Sequence, residues 1–235
     1  MTNSEHTSKQ FDAELEAVRA RVLHMGGLVE EQIKLALDAL ISGDLELCTK
    51  VENNDHLVNG LEVGIDEDCS TIIARRQPAA GDLRMLMTVV KTITDLERIG
   101  DEAAKIARMA KLIYSADRLQ QPRTAEIRRM SQIALEMLRK SLDAFARLDV
   151  AASADVVRSD QHVDEEFRGV LRQLITFMME DPRTISVSIE ILFIAKAIER
   201  IGDHAKNISE YVIYMVKGKD VRHVTLEEIE REVMG

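Results

Sequence analysis

The sequence is poor in aromatic residues, cysteines and prolines, and each shortage excludes a class of protein. Only 3% of its 235 residues are aromatic and none is Trp, so it offers no stacking platform for single-stranded nucleic acid. Two cysteines, Cys48 and Cys69, are too few for a disulfide framework and are interpreted as reduced thiols. Three prolines and eleven glycines leave long stretches dominated by good helix formers. This composition predicts an all-α protein.

The chain also lacks dense basic runs and long apolar runs. Its formal net charge is −10, and direct nucleic-acid binding is therefore not expected. No apolar stretch approaches the length of a membrane span, and residues 1–10 contain no apolar signal core. We expect a cytoplasmic protein that reaches a membrane only through its partners. The acidity is compatible with solubility, cation binding or a basic partner.

A pentapeptide occurs twice and organises the chain. Glu97-Arg98-Ile99-Gly100-Asp101 recurs 102 residues later as Glu199-Arg200-Ile201-Gly202-Asp203. Each copy lies in a run with helical periodicity and places its two carboxylates on one helix face, four residues apart. Earlier matches, such as Asp55 with Asp160, occur at a shift of 105. The shift changes near Pro78 and Pro182, at turns where length varies easily, so the pattern predicts a tandem duplication of a three-helix bundle.

Periodicity and capping signals predict six long helices in two domains. We expect these helices over residues 8–41, 44–77, 82–114, 123–148, 149–180 and 183–216. Residues 1–7 are expected to be disordered, and residues 115–122 form the best candidate linker. The predicted domains are therefore residues 8–116 and 122–217, followed by a peripheral tail over 218–235. Thr225 and Glu228 have the spacing of a capping box, which favours a short helix in that tail.

The third helix has an apolar stripe and a charged face. At about 100° per residue, the charged face that we expect to be solvated carries Arg84, Lys91, Asp95, Arg98 and Glu102. Glu97 and Asp101 fall at the edge of the apolar stripe instead. The sixth helix repeats this arrangement with Glu199 and Asp203.

Counting back from the turns predicts what the carboxylate pairs face. Short turns make neighbouring helices antiparallel, so each pair should lie opposite oxygen-bearing side chains of the preceding helix. These are Asp55, Asn59 and Glu62 in the first half, and Asp160 and Asp164 in the second. Converging oxygens must be neutralised, and hard oxygen ligands suit Mg²⁺, Ca²⁺ or Mn²⁺ as well as iron or zinc. His204 could add a nitrogen, although its helical angle points away from the pair. The alternative is a solvated groove whose charges pair with Arg98, Arg200 or Lys206.

Several segments resemble the PhoU family, the regulatory accessory proteins of bacterial phosphate-specific transport. The resemblance lies in the turn over residues 76–84, RQPAAGDLR, in DLERIGD over 95–101, in the second copy over 198–204, and in Asp55-x-x-x-Asn59-x-x-Glu62. It implies two three-helix bundles with divalent or iron-type metal ions at two carboxylate sites. The metal ligands it implies are Glu97, Asp101, Glu199 and Asp203, with Asp160 and Asp164 as the second-helix set. Asp55 and Asn59 would be the weaker counterpart of that set.

The resemblance also implies a function, which composition and periodicity do not. Members of this family lower phosphate uptake and silence the phosphate-starvation (Pho regulon) response when phosphate is plentiful. The implied partners are a sensor histidine kinase and the ATPase subunit of the phosphate ABC transporter, and homodimers are common. We therefore expect a non-enzymatic cytoplasmic adaptor and negative regulator.

The alternative functions are a metal-dependent hydrolase or oxidase, or a protein that buffers metal or phosphate. The di-iron bundles carry Glu-x-x-His on facing helices, and no such motif lies on a core-facing stripe here. An HExxH motif, a phosphate-binding Gly-rich loop and a Gly-x-Ser-x-Gly elbow are likewise absent from the sequence. These absences favour the regulator.

Overall fold

The computed structural model describes residues 9–115, 124–222 and 224–234. Over these residues the chain is helical, with one short 3-10 turn over Pro182–Thr184 before the sixth helix. The α-helices are α1 (Lys9–Ser42), α2 (Leu45–Arg76), α3 (Ala80–Ser115), α4 (Ala125–Arg147), α5 (Val150–Glu180), α6 (Ile185–Lys217) and α7 (Leu226–Met234).

Local capping explains where several helices begin. The side chain of Asp44 accepts hydrogen bonds from the amides of Glu46 and Leu47 at the start of α2. Asp149 caps α5 in the same way, through the amide of Ala152. Such caps satisfy amides that have no partner within the helix. The predicted helix limits consequently agree with the structure to within about two residues, as is normal for assigned helix ends.

The six long helices form two three-helix bundles that pack side by side. Helices α1, α2 and α3 contact one another, as do α4, α5 and α6, and the bundles meet through α3 against α6 and through α1 against α4. At Gly26, α1 comes so close to α4 that an added Cβ would lie 2.6 Å from Leu142 Cδ2. One continuous apolar core runs through both bundles. The predicted all-α fold of two similar bundles is confirmed.

The predicted solvated face of α3 is wrong for two of its residues. Asp95 and Glu102 are only 2% and 6% exposed, because this side of α3 packs against α6. Arg98 on the same face is exposed, as predicted. The periodicity of one helix distinguishes an apolar from a polar face, but it does not reveal that a second bundle covers the polar one.

The C-terminal tail, predicted to be peripheral, packs onto the second bundle. Val221 and Ile229 are both buried, in a small cluster with Ala154, Val157 and Ile213. The predicted capping box is present, since the Thr225 amide donates to Glu228 and the Glu228 amide donates to Thr225 Oγ1. The predicted disorder of residues 1–7 and all but the first residue of the predicted linker lie outside the described residues. Among the residues that the structure describes, no helix combines the length and the apolar character that a membrane crossing requires.

Candidate functional site

The first candidate site is a groove between α2 and α3. Glu97 and Asp101 on α3 lie near Asp55 and Glu62 on α2. Partial burial raises the pKa of Glu97, and the charges of Asp101, Glu62 and Asp55 raise it further, against a small opposing effect of Arg98. The pKa of Asp101 is raised in the same way, first by burial and then by Asp55. These shifts indicate that four carboxylates share one partly desolvated groove.

Neutral side chains provide the direct contacts to these carboxylates. Gln32 on α1 donates from Nε2 to Asp55 Oδ1 at 3.1 Å, and Asn59 donates weakly to the other oxygen of Asp55 at 3.5 Å. Thr94 donates from Oγ1 to Glu62 at 3.3 Å. In the described part of the chain, no lysine or arginine forms an ion pair with any carboxylate of this groove. Arg98 and Arg108 act on it only at longer range.

Gln32 presents a second polar atom in the same place. This side chain is only 4% exposed, and its Oε1 has no hydrogen-bond partner among the described residues. Gly100 lies between Glu97 and Asp101, and a Cβ added there would lie 3.3 Å from Gln32 Oε1 and 3.4 Å from Asp55 Oδ1. An unpaired buried carbonyl oxygen is costly, and Oε1 of Gln32 is therefore available as a ligand oxygen beside the carboxylate groove, while Nε2 donates to Asp55 and to the carbonyl of Gly100.

The second candidate site is the equivalent groove between α5 and α6, and it contains lysines. Lys206 Nζ lies 2.8 Å from Asp160 Oδ2, and Lys196 is ion-paired with Glu199. Burial raises the pKa of Asp203 to about 6, with contributions from Glu199 and Asp160, although both lysines oppose the shift. Two of the three carboxylates of this groove, Glu199 and Asp160, are thus paired with lysines, whereas Asp203 has no ion-paired lysine among the described residues.

The structure brings together most but not all of the predicted site residues. Asp55, Asn59, Glu97 and Asp101 line the first groove, and Asp160, Glu199 and Asp203 line the second. The nearest cation to Asp164 is Arg168 on its own helix, at 3.9 Å, and Asp164 is not among the groups that shift the pKa of Asp203.

Sequence reasoning missed Gln32 and Lys196 as members of these sites. Aligning the two halves would have supplied the signal. At the shift of 105, Gln32 corresponds to Met137, and at 102, Thr94 corresponds to Lys196. Each is a difference between otherwise similar halves at a position that contacts a groove carboxylate.

A hard cation fits the donors of the first groove better than those of the second. Over residues 9–115, 124–222 and 224–234, no three or more His, Cys, Asp or Glu side chains stand close enough together to hold a metal ion as they are placed. Mutually repelling carboxylates stand apart and would have to close around the cation. In the first groove this closure would rearrange only neutral hydrogen bonds from Gln32, Asn59 and Thr94, whereas in the second the Lys206–Asp160 and Lys196–Glu199 ion pairs would have to open.

The contact between the bundles lies directly beside both grooves. His204 Nδ1 lies 2.6 Å from Asp95 Oδ1, with Asn207 donating to the same oxygen at 3.4 Å. His204 thus faces away from Asp203, as its helical angle predicts. Further along, Arg200 pairs with Glu102 at 2.9 Å. Each of these contact residues directly follows a groove carboxylate in the sequence: Glu102 follows Asp101, Arg200 follows Glu199, and His204 follows Asp203. The grooves and the contact between the bundles therefore use the same turns of α3 and α6.

Comparisons with known proteins identify the family. The PhoU domain profile matches residues 22–110 and 127–212, one match in each bundle. The chain is 48% identical over 231 residues to the phosphate-specific transport system accessory protein PhoU homolog of Pseudomonas putida, covering 98% of this chain and 90% of that protein. It is 46% identical over 232 residues to the phosphate-specific transport system accessory protein PhoU of Escherichia coli K12, covering 99% and 95%.

Solved structures agree with the sequence comparisons. The crystal structure of PhoU from Pseudomonas aeruginosa matches with a TM-score of 0.85 at 47% identity, over 89% of this chain and all of that one. The phosphate transport system regulatory protein PhoU from Streptococcus pneumoniae matches with a TM-score of 0.83 at 29% identity, over 90% and 99% of the two chains. These relatives are named as accessory or regulatory proteins rather than as enzymes. By sequence and by fold, this chain belongs to the PhoU family.

Proposed function

We propose that this protein is a cytoplasmic, non-enzymatic negative regulator of phosphate uptake and of the phosphate-starvation response. One observation carries the proposal: relatives named as accessory proteins of the phosphate-specific transport system match almost the entire chain at 46–48% identity. Both bundles and the tail are included in that match. The regulator of the Streptococcus pneumoniae phosphate transport system shares the same fold over nearly its whole length.

In this proposal the protein acts as an adaptor. It docks on the ATPase subunit of the phosphate ABC transporter and on the sensor histidine kinase, and keeps the kinase from activating its response regulator. Its clustered charges lie in grooves between helices, where Asp101 is exposed and Glu97 and Asp203 are half-buried. Such accessible charges support the recognition of a partner rather than catalysis. A second copy of the chain is a further proposed partner.

Metal binding is the second part of the proposal. Glu97 and Asp101, with Asp55 and the amide of Asn59, would hold one divalent or iron-type ion. Glu199 and Asp203, with Asp160 and the predicted ligand Asp164, would form the other site. A bound ion would neutralise carboxylates from two helices at once and so fix the helices relative to each other. The oxygen ligands of the first groove support this assignment. In the second groove, Lys196 and Lys206 would compete with a metal ion for the carboxylates.

An affinity pull-down tests the adaptor. The tagged protein would be expressed in cells grown in high or low phosphate, and its partners recovered from detergent-solubilised membranes and identified by mass spectrometry. We expect the kinase and the transporter ATPase, in amounts that depend on phosphate, and reduced recovery with Glu97→Ala/Glu199→Ala. The control is Glu136→Ala/Asp143→Ala, which removes two exposed carboxylates of α4 and should leave recovery unchanged. Absence of both partners under both conditions would contradict the adaptor.

A further inference from the structure

We propose that the two carboxylate grooves are not equivalent: the first is the true cation site and includes Gln32, whereas the second is occupied by its own counter-charges, Lys196 and Lys206. This inference rests on the metal-binding part of the proposed function and makes it specific to one half. The cation is of the hard, oxygen-preferring divalent class, such as Mn²⁺, Mg²⁺ or Ca²⁺.

The charges of the two grooves differ. The first groove combines Asp55, Glu62, Glu97 and Asp101 and has no ion-paired cation among the described residues. The second combines the three carboxylates of Asp160, Glu199 and Asp203 with two lysines, which pair with the first two of them. Uncompensated carboxylates that are partly withdrawn from water gain most from a counter-ion. Among the described residues, the four carboxylates of the first groove all lack an ion-paired cation, whereas only one of the three in the second, Asp203, does.

Gln32 is the second, independent sign of a ligand in the first groove. It is almost fully buried, and its Nε2 already donates to Asp55, so the amide is oriented with Oε1 free. That oxygen lies beside Gly100, between the two α3 carboxylates. A carbonyl oxygen is a good ligand for a hard cation. The equivalent residue in the second half is the buried Met137, whose thioether is a soft donor.

Three sequence differences between the halves act in the same direction. The second half has Lys196 where the first has Thr94, and Lys206 where the first has Ala104. It also has Met137 where the first has Gln32. Each change lowers the need for a cation in the second groove or removes a donor from it. The first half has the neutral Asn59 where the second has the carboxylate Asp164, which implied that the first site binds metal more weakly. The differences above favour the opposite order of affinity.

Loading the second groove would require ion pairs to open. A cation bridging Asp160 and Asp203 must displace Lys206 Nζ, which lies 2.8 Å from Asp160 Oδ2. A cation on Glu199 must likewise compete with Lys196. The first groove has no such competitor, since its contacts from Gln32, Asn59 and Thr94 are neutral.

A Mn²⁺ titration followed by electron paramagnetic resonance of the free ion tests the proposal on the full chain. We expect one tight equivalent of Mn²⁺ per wild-type chain. Glu97→Gln/Asp101→Asn should weaken that site by more than about 100-fold, whereas the matched Glu199→Gln/Asp203→Asn should change it by less than about threefold. Gln32→Met, which copies the second half, should cost about tenfold, the low end of what supporting residues contribute to metal sites.

Exchanging the lysines provides the complementary test. Thr94→Lys should weaken the first site by about tenfold or more, and Lys196→Thr/Lys206→Ala should create a second equivalent. Circular dichroism of each metal-free variant confirms that it is folded. Two equal sites in wild type, or loss of the tight site only in Glu199→Gln/Asp203→Asn, would overturn the inference. No Mn²⁺ binding at all would overturn both the inference and metal binding, whereas the adaptor role is judged separately by the pull-down.

Discussion

The two halves of the molecule share helices and a pentapeptide, yet they stabilise the same carboxylate pair in different ways. In the first half the groove around Glu97 and Asp101 contains only neutral hydrogen-bond donors. In the second half Lys196 pairs with Glu199 and Lys206 pairs with Asp160. The repeated motif therefore determines where the carboxylates lie, and residues outside the motif determine what neutralises them.

The contact between the bundles is also asymmetric, because equivalent positions of the two halves carry different charged residues. Glu102 and His204 occupy equivalent positions at the shift of 102, but one is an acid and the other a base. Glu102 pairs with Arg200 across the contact, and His204 pairs with Asp95. The duplication thus produced two surfaces that complement each other rather than two copies of one contact.

The largest effect on stability is expected at His204. His204→Ala leaves Asp95 buried with Asn207 and Tyr211 as its polar partners within the described part of the chain, and an uncompensated buried charge costs about 3 to 4 kcal/mol. Urea unfolding at pH 7 measures this loss. Asp95→Ala/His204→Ala should be closer to wild type than His204→Ala, because removing both partners leaves no orphaned charge. Equal or greater destabilisation of the double variant would show that the pair is not coupled.

A pH-dependent effect is expected at Glu210, which lies where the first half has the exposed Arg108. Burial raises the pKa of Glu210 to about 7, although Lys206 and Arg222 oppose the shift. Since the folded pKa lies above the unfolded value, ionised Glu210 destabilises the fold above pH 7, and this penalty disappears below about pH 4.5.

Glu210→Gln should therefore raise the free energy of unfolding by up to about 3 kcal/mol at pH 8 and have little effect at pH 4.5. Parallel urea titrations at the two pH values measure the difference. Arg108→Gln, the substitution at the equivalent position of the first half, should show no such pH dependence. A stabilisation by Glu210→Gln that is equal at both pH values would contradict the assignment.

A smaller effect distinguishes the two arginines of the repeated motif. Arg200→Ala leaves the buried Glu102 with Lys105 as its remaining cation, and because Arg200 is half exposed we expect a loss of about 1 to 2 kcal/mol. Arg98→Ala, at the equivalent exposed position, should cost less than about 0.5 kcal/mol. Thermal unfolding of both variants checks the order, and equal losses would mean that the Glu102 contact does not stabilise the fold.

The smallest effect concerns the glycines of the motif. An added Cβ at Gly202 would meet Val163 at 3.4 Å, an ordinary contact, so Gly202→Ala should be neutral or stabilise the helix by up to about 1 kcal/mol. At Gly100 the same methyl would press on Gln32 Oε1 at 3.3 Å. We expect Gly100→Ala to gain less stability and to weaken Mn²⁺ binding. Identical behaviour of the two variants in calorimetry and in Mn²⁺ titration would show that the grooves are equivalent.

The helices and the duplication could be predicted because their signals are local. Asp44 and Asp149 mark helix starts, the Pro78 and Pro182 turns mark ends, and ERIGD marks the repeat. That Glu97 faces the oxygen-bearing residues of α2 could be predicted from the short turn between α2 and α3 alone. These features depend on hydrogen bonds and spacings within about two helices, which a sequence displays directly.

The bundle contact and the counter-charges could not be predicted in the same way. The burial of Asp95 and Glu102 depends on a helix about 100 residues away in the sequence, and helical periodicity carries no information about it. Gln32 is a single polar residue beside the apolar stripe of α1, and nothing local shows that its carbonyl faces a groove. The sequence presents Lys206 as a partner for the carboxylates, but packing between α5 and α6 determines that it pairs with Asp160.

The most direct measurement of the difference between the two grooves is anomalous diffraction from crystals of the full chain grown with Mn²⁺, with data collected above the manganese edge. We predict one strong anomalous peak within coordination distance of Glu97, Asp101 and Gln32 Oε1, and none beside Glu199 and Asp203. Peaks of equal height in both grooves, or a single peak in the second, would contradict the account.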